Sequence, residues 1–518
     1  MAVPRAATPY RIFPEEITIE NFKSIKSLAL KLKPGVNLLV GPNASGKTNI
    51  LEAIYFLSKA ISRSELLKIP YAPHIPHYWS PEDLFYMRQV ENPISYRILF
   101  RVSKRKEDKC LKHNVSFTIK FSLSSNRESI EPSYVSIDWG TAKIEIYDDL
   151  MNVYINVKYF PSYEEVLKKI IKDRNTFTPF HRVLTELYRK LSELKESITL
   201  PPTEECILLT QNKLQLEFGE ISIVKFFLQP FFIGFTEFEN IVSSAPNHEE
   251  KNFGLLEIPG IRVTPSPSFR FPHHPIVPLL IHWHEARLED FSGFPMTKTI
   301  VDLDTIRNLL EKCILLKHPG IGEISEPQAF TEEMRLHVRA RNLPQVFYKL
   351  SAEGRTRYIE RILREVLGNG VGVEPRSFAG RVFFVISERG VELPPPNIAD
   401  GIIKLMAIAA AVELQPAILL IDELENSLHA EALEKVFDVL DSLEIPVLAA
   451  THSPVLVDLA KPEKVIAVSR TMERGTTVEY FKEPGRLREK LVELGIALSD
   501  YVFYEKTRSQ QTERGSFA

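Results

Sequence analysis

The chain has 518 residues, 44% hydrophobic and 25% charged, which is more than one hydrophobic core usually serves and far from the disordered or membrane extremes. Its formal net charge of −3 excludes a global basic field for nucleic acid, and Cys110, Cys206 and Cys313 stand too far apart for a disulfide framework or a thiolate metal site. The proline-broken opening MAVPRAATPYRIFPEE has no apolar signal core, and no later apolar run is long enough to span a bilayer, which points to a cytoplasmic protein without a membrane partner.

Residues 17–32, ITIENFKSIKSLALKL, alternate in the manner of a half-buried hairpin, and VNLLV after them reads as a buried strand. A glycine-bounded turn and the helix TNILEAIYFLSKAI follow, then a Pro- and His-rich connection over 69–81. From 93 to about 158 short apolar runs spaced by turn residues predict an antiparallel sheet. Helical periodicity starts at Ser162, and 200–330 mixes apolar pieces with Pro- and Ser-rich stretches that assign no elements. Beyond ARNLPQVFYKL, strands RVFFVIS, AILLID and PVLAAT alternate with the helix GIIKLMAIAAAVEL, as in a parallel sheet. The fold expected is therefore α/β, a P-loop head split in two. Its N-terminal half spans 1–160 with an antiparallel β subdomain, a mainly helical insert suited to partner recognition spans 161–330, the C-terminal half spans 331–505, and 506–518 form a polar tail.

Gly41, Pro42, Asn43, Ala44, Ser45, Gly46, Lys47 and Thr48 complete GxxxxGK[ST] between a predicted strand and a predicted helix, with Asn49 next. Gly41 and Gly46 let backbone amides turn inward, and the helix adds its positive end, so the loop is an anion cradle. Lys47 would reach the outer phosphates of ATP, and Thr48 offers a hydroxyl to Mg²⁺. Hydrolysis needs acid on a neighbouring strand. AILLIDELENSLH supplies Asp422 for the metal and Glu423 as general base toward water, and VLAATHSP ends another strand in His452, the candidate sensor of the γ-phosphate.

Other constellations lead to blander readings. His273, His274, His282, His284 and Glu285 cluster in the manner of metal ligands, yet histidines in a Trp-containing apolar stretch more often flank a core, and His74 and His77 read the same way. RVSKRKEDK, 101–109, is basic enough to touch a phosphate backbone, but such runs are usually solvated turns. NKLQ at Asn212 lacks the acid that would read guanine.

With these residues assembled, IENFKSI before GPNASGKT, then NIADGIIKLMAIAAA, ILLIDELENSLH and ATHSP, the chain resembles the ABC-type ATPase head of RecF-, SMC- and OLD-like proteins, most closely the predicted AAA-type ATPases of archaea and bacteria, over about 15–105 and 335–505. The resemblance makes Lys23 and Ser24 nucleotide contacts, and Gln89 the glutamine that approaches the metal. It puts Gly401 in the signature segment facing a partner's nucleotide, although Ala399 and Asp400 replace the expected Ser and Gly. Ala44 likewise stands where these proteins usually carry Gly. The OLD nuclease domain is not expected, since 66 positions separate His452 from Ala518. What the resemblance implies is a MgATP-hydrolysing homodimer, with two nucleotides sandwiched between heads, that drives a conformational switch. It would serve DNA repair or chromosome maintenance with DNA as partner, or else act as the regulatory subunit of a separate nuclease or effector in anti-phage defence.

Overall fold

A computed structural model describes residues 10–61, 80–156 apart from short breaks, 213–220, and 303–505 apart from 332–333. Tyr10–Phe22 (β1) and Ile25–Lys31 (β2) form the expected hairpin, and Gly35–Val40 (β3) is buried at every position. Helix Lys47–Ala60 (α1) leaves the end of β3 through the glycine-bounded turn. The chain then runs through Ile94–Lys106 (β4), Lys109–Leu123 (β5), Ile130–Asp138 (β6), Ala142–Tyr147 (β7), Leu150–Asn156 (β8) and Lys213–Glu220 (β9). From β5 onward each is antiparallel to the one before, and β4 pairs antiparallel with β1.

The second part opens with Leu303–Glu311 (α2) and Cys313–Leu316 (β10). After the short strand Gln328–Ala329 (β11) come helices Leu343–Ala352 (α3) and Arg357–Leu367 (α4). Strands Val371–Phe378 (β12), Arg381–Glu388 (β13) and Val391–Leu393 (β14) join β11 in a small sheet. Helix Asp400–Glu413 (α5), strand Ile418–Ile421 (β15), helix Ala430–Asp441 (α6) and strands Pro446–Thr451 (β16), Val465–Thr471 (β17) and Gly475–Glu479 (β18) complete the head.

One large sheet has the order β10-β15-β16-β3-β17-β18-β2-β1-β4 and continues to β9. Its β10, β15, β16, β3 and β17 are parallel, and the rest of the path is antiparallel. Parallel strands need helices on both faces, and the side chains comply. Leu39, Ile418, Leu420, Leu448 and Ala450 join one core with Ile50, Ala53, Ile54 and Leu57 of α1. Val36, Leu38, Val40, Leu419, Ile421, Val447 and Ala449 join the other, with α5 and α6. α5 is buried from Ile403 to Glu413, apolar on every side apart from Lys404 and Glu413, as befits an interior helix.

The structure corrects one boundary. Residues 161–330 were expected to form the insert, yet β10 lies inside that range and is hydrogen-bonded in parallel to β15 as an edge of the main sheet, with α2 packed on α1. A four-residue apolar run, CILL, has no period from which to assign a strand. The helical pattern from Ser162, the histidines at 74, 77, 273, 274, 282 and 284, and the tail 506–518 lie outside the described residues.

Candidate functional site

Strand β3 ends at Val40, and the turn that follows wraps over the first turn of α1. Gly46 has φ 103, which a side chain rarely adopts, and a Cβ there would collide with the Thr476 hydroxyl. Ala44 takes the left-handed conformation at φ 60. Pro42, Asn43 and Ala44 are exposed on the rim, whereas Ser45 and Lys47 are buried. The Lys47 ammonium folds back over the loop, donating to the carbonyls of Gly41 at 2.9 Å and Pro42 at 3.0 Å. Burial holds its pKa below the ordinary lysine value, against the pull of Asp422, Glu425 and Glu423.

The turn is braced from below by β18. The Thr476 hydroxyl donates to the Ser45 carbonyl at 3.1 Å and meets the Ser24 hydroxyl at 2.7 Å, which in turn accepts from the Asn49 amide at 2.6 Å. Ser24 and Asn49, both expected at the nucleotide, are thus engaged within the protein. Lys23, with φ 47, donates to Glu52 on α1, and Lys317, just past β10, donates to the other oxygen of the same carboxylate. Burial raises the pKa of Glu52, but the two ammonium groups outweigh it and hold the carboxyl below its usual range. The Ser45 hydroxyl is buried with no hydrogen-bond partner among the described residues, as a donor reserved for an anion would be.

The acidic strand end comes to this loop from 374 residues away. The Thr48 hydroxyl lies 3.1 Å from one Asp422 oxygen and 3.3 Å from the other. A hydroxyl and a carboxylate side by side at a helix N-terminus suit Mg²⁺, which takes few protein oxygens and shares the rest with phosphates. Burial raises the Asp422 pKa, with Lys317 and Thr48 acting against it. Glu423 follows in the left-handed conformation at φ 52, its exposed carboxylate accepting from the Asn426 amide.

Glu425 joins the acidic loop to β16. Its carboxylate accepts from the Thr451 hydroxyl at 2.8 Å and from the backbone N–H of His452 at 2.6 Å. His452 is exposed, but loss of part of its water and then the nearby Lys47 charge hold its pKa below the ordinary imidazole value. Lys47, Thr48, Asp422, Glu423 and His452 are therefore brought together in one electrostatic neighbourhood. Gln89 is exposed beside Met87 and Arg88, both at positive φ, and its backbone carbonyl accepts from Asn21 at 3.1 Å. Gly401 packs against the backbone of Ser427, where an added Cβ would stand 2.6 Å from the carbonyl oxygen.

Sequence reasoning missed Glu425, Lys404, Glu52, Lys317 and Thr476. Two had a local signal: Glu425 follows the acidic pair in DELEN, and Lys404 is the lone charge within IIKLMAIAAAV. The other three matter only through partners far along the chain.

Two family profiles match the chain, each over less than half of it: "AAA ATPase domain" over residues 15–250 and "AAA domain, putative AbiEii toxin, Type IV TA system" over 239–458. Among curated relatives, a "DNA replication and repair protein RecF" of Actinobacillus pleuropneumoniae is 29% identical over 185 residues, 35% of this chain and 47% of the relative. The RecF of Lactobacillus acidophilus is 50% identical over 50 residues, 10% of this chain and 13% of the relative. The chain thus matches less than half the length of either. Among solved structures, an Smc head domain from Pyrococcus furiosus, bound to the C-terminal domain of ScpA, is 15% identical with a TM-score of 0.36, covering 93% of this chain and 100% of that one. The SMC head domain from Thermotoga maritima is 11% identical with a TM-score of 0.32, covering 91% and 99%. With the phosphate-type loop after β3, the acidic pair after β15, the histidine after β16 and an antiparallel sheet extending from β1, the chain resembles an ATPase head of the RecF-like kind.

Proposed function

We propose that the chain binds and hydrolyses ATP, and that its heads pair around two nucleotides to drive a conformational switch in DNA repair or chromosome maintenance. The observation that carries the reading is the Thr48–Asp422 contact, which joins the two halves of a phosphate-and-metal site across 374 residues. Gly41 to Thr48 would cradle the phosphates with inward amides and the N-terminus of α1, with the Ser45 hydroxyl as a further donor. Lys47 would leave its two carbonyl partners for the outer phosphates. Mg²⁺, held by Thr48 and Asp422, would supply charge neutralisation for phosphoryl transfer. Glu423 takes a proton from the attacking water, and His452, largely neutral near pH 7 given its lowered pKa, offers a hydrogen bond toward the γ-phosphate. Closure of the paired heads then depends on contacts to the γ-phosphate that ADP cannot make.

The relatives named for replication and repair support the DNA reading. A second reading, a regulatory ATPase subunit of a separate nuclease or anti-phage effector, is favoured by the profile named for a toxin system. One set of measurements tests both: turnover and oligomeric state of the wild type and Glu423→Gln, with and without DNA. Turnover of the variant is expected to fall at least about a hundredfold while an ATP-bound dimer accumulates. A Glu423→Gln protein that hydrolyses at the wild-type rate refutes the role of Glu423. Stimulation by DNA, with affinity falling steeply in salt, supports the first reading, and co-purification of an effector without DNA affinity supports the second.

A further inference from the structure

The loop from Asp422 to Leu428 holds two non-glycine residues in the left-handed region, Glu423 at φ 52 and Ser427 at φ 64. Each costs about 1–2 kcal/mol relative to ordinary backbone, so each persists only where its surroundings hold it. Both are held from the same helix. The Glu423 carbonyl accepts from the backbone N–H of Asn426 at 3.1 Å and from the Lys404 ammonium at 3.3 Å. The Ser427 carbonyl lies directly on Gly401, where any side chain would force the two apart. Gly401 and Lys404 are one turn apart on α5, so one helical face touches both strained residues.

Lys404 is also out of place on stability grounds. It is 1% exposed, in a helix whose neighbouring positions are Ile403, Leu405, Met406 and Ala407. A buried ammonium is costly, and an apolar residue of similar size usually costs nothing or stabilises. Burial pushes the Lys404 pKa down to about 8, against the pull of Glu425, Asp422 and Glu423, the three carboxylates of the site.

We propose that Lys404 is a positioning residue for Glu423, and that α5 works as a strut which fixes where the Glu423 carboxylate points. This rests on the ATP-hydrolysis reading and deepens it, because the helix that would meet a partner head at its N-terminal end is the one that holds the general base. A shift of α5 on head pairing then reaches Glu423 without passing through the nucleotide.

The test compares wild type with Lys404→Met, which fills the space without charge, and with Lys404→Gln, which keeps an N–H donor should the first variant not fold. Three quantities are read: binding of a fluorescent ATP analogue, single-turnover hydrolysis, and amide hydrogen exchange over 422–428 and over 41–48. The expected result is analogue affinity within about threefold of wild type, hydrolysis slower by about a hundredfold as for a slightly misplaced base, faster exchange over 422–428, and unchanged exchange over 41–48. Hydrolysis within about threefold of wild type, or slow hydrolysis without faster exchange over 422–428, overturns the proposal. If wild type itself hydrolyses no ATP, the catalytic reading fails, and exchange alone then decides whether Lys404 holds the loop.

Discussion

The two loops that meet at the site solve the same steric problem to different degrees with glycine. The phosphate loop uses glycine where its φ is largest, at Gly46, with one left-handed non-glycine, Ala44, on its rim, and is pinned through the Ser24 and Thr476 hydroxyls, which link the Asn49 amide to the Ser45 carbonyl. The acidic loop bends through Glu423 and Ser427 without glycine and relies on side chains to hold it: Lys404 and Asn426 at Glu423, and Glu425 bridging to Thr451 and His452. A glycine-built loop keeps its shape at little local cost, as suits a cradle. A loop held by charged neighbours shifts when they shift, as suits a part that must respond.

The contrast is most sharply broken by Gly46→Ala. The added methyl meets Thr476 at a φ that L-residues avoid, and the expected loss is about 3 kcal/mol of stability together with nucleotide binding, read by thermal melting and by titration with an ATP analogue.

Next in size is a pH effect on the other loop. The Lys404 pKa is near 8 in the folded protein and about 10.4 when unfolded, so the folded state binds fewer protons between those values and stability rises with pH there. Below pH 8 both states carry the charge and the burial cost is felt in full. Relative to Lys404→Met, wild type is therefore expected to gain about 3 kcal/mol between pH 8 and pH 10.4, measured by urea unfolding of both proteins, with Glu425, Asp422 and Glu423 as the carboxylates facing the amine. A constant difference across that range means that the ammonium is not desolvated.

Glu425→Gln tests the bridge between the loops. Both donors lose a charged acceptor: one of them, the Thr451 hydroxyl or the His452 N–H, keeps a neutral amide oxygen while the other faces an NH2 group, and about 2 kcal/mol is expected, with faster amide exchange at 451–453. The smallest effect is Ala44→Gly. It relieves the strain at φ 60 but adds freedom to the unfolded chain, so the net gain is at most about 1 kcal/mol in melting experiments, with ATP-analogue binding unchanged. A loss of stability there sets the phosphate loop outside the glycine-built description.

The comparison also explains what could be read from the sequence. The phosphate loop is eight consecutive residues whose types follow from local backbone needs, so Gly41 to Thr48 stood out. Asp422, Glu423 and His452 were legible because each ends or follows an apolar run, and the alternation of strands and helices gave the parallel sheet. The braces were not. Ser24 and Thr476 are 452 positions apart; the resemblance pointed to Ser24 as a nucleotide contact and not as a brace, and nothing local marks Thr476. Glu52 looks like an exposed helix residue until Lys23 and Lys317 arrive from two other elements. β10 was missed because four apolar residues between a helix and a turn carry no period, and the pairing that makes them a strand belongs to β15.

The position of β3 sets an order of events during synthesis. It lies between β16 and β17, both of which leave the ribosome more than 400 residues later, so at about 5–20 residues per second its unpaired backbone edges wait roughly 20–80 s for their neighbours. Until then the N-terminal portion has its glycine turn but no companions for the strand that carries it. The parallel part of the sheet can therefore close around β3 only once translation has passed Thr471.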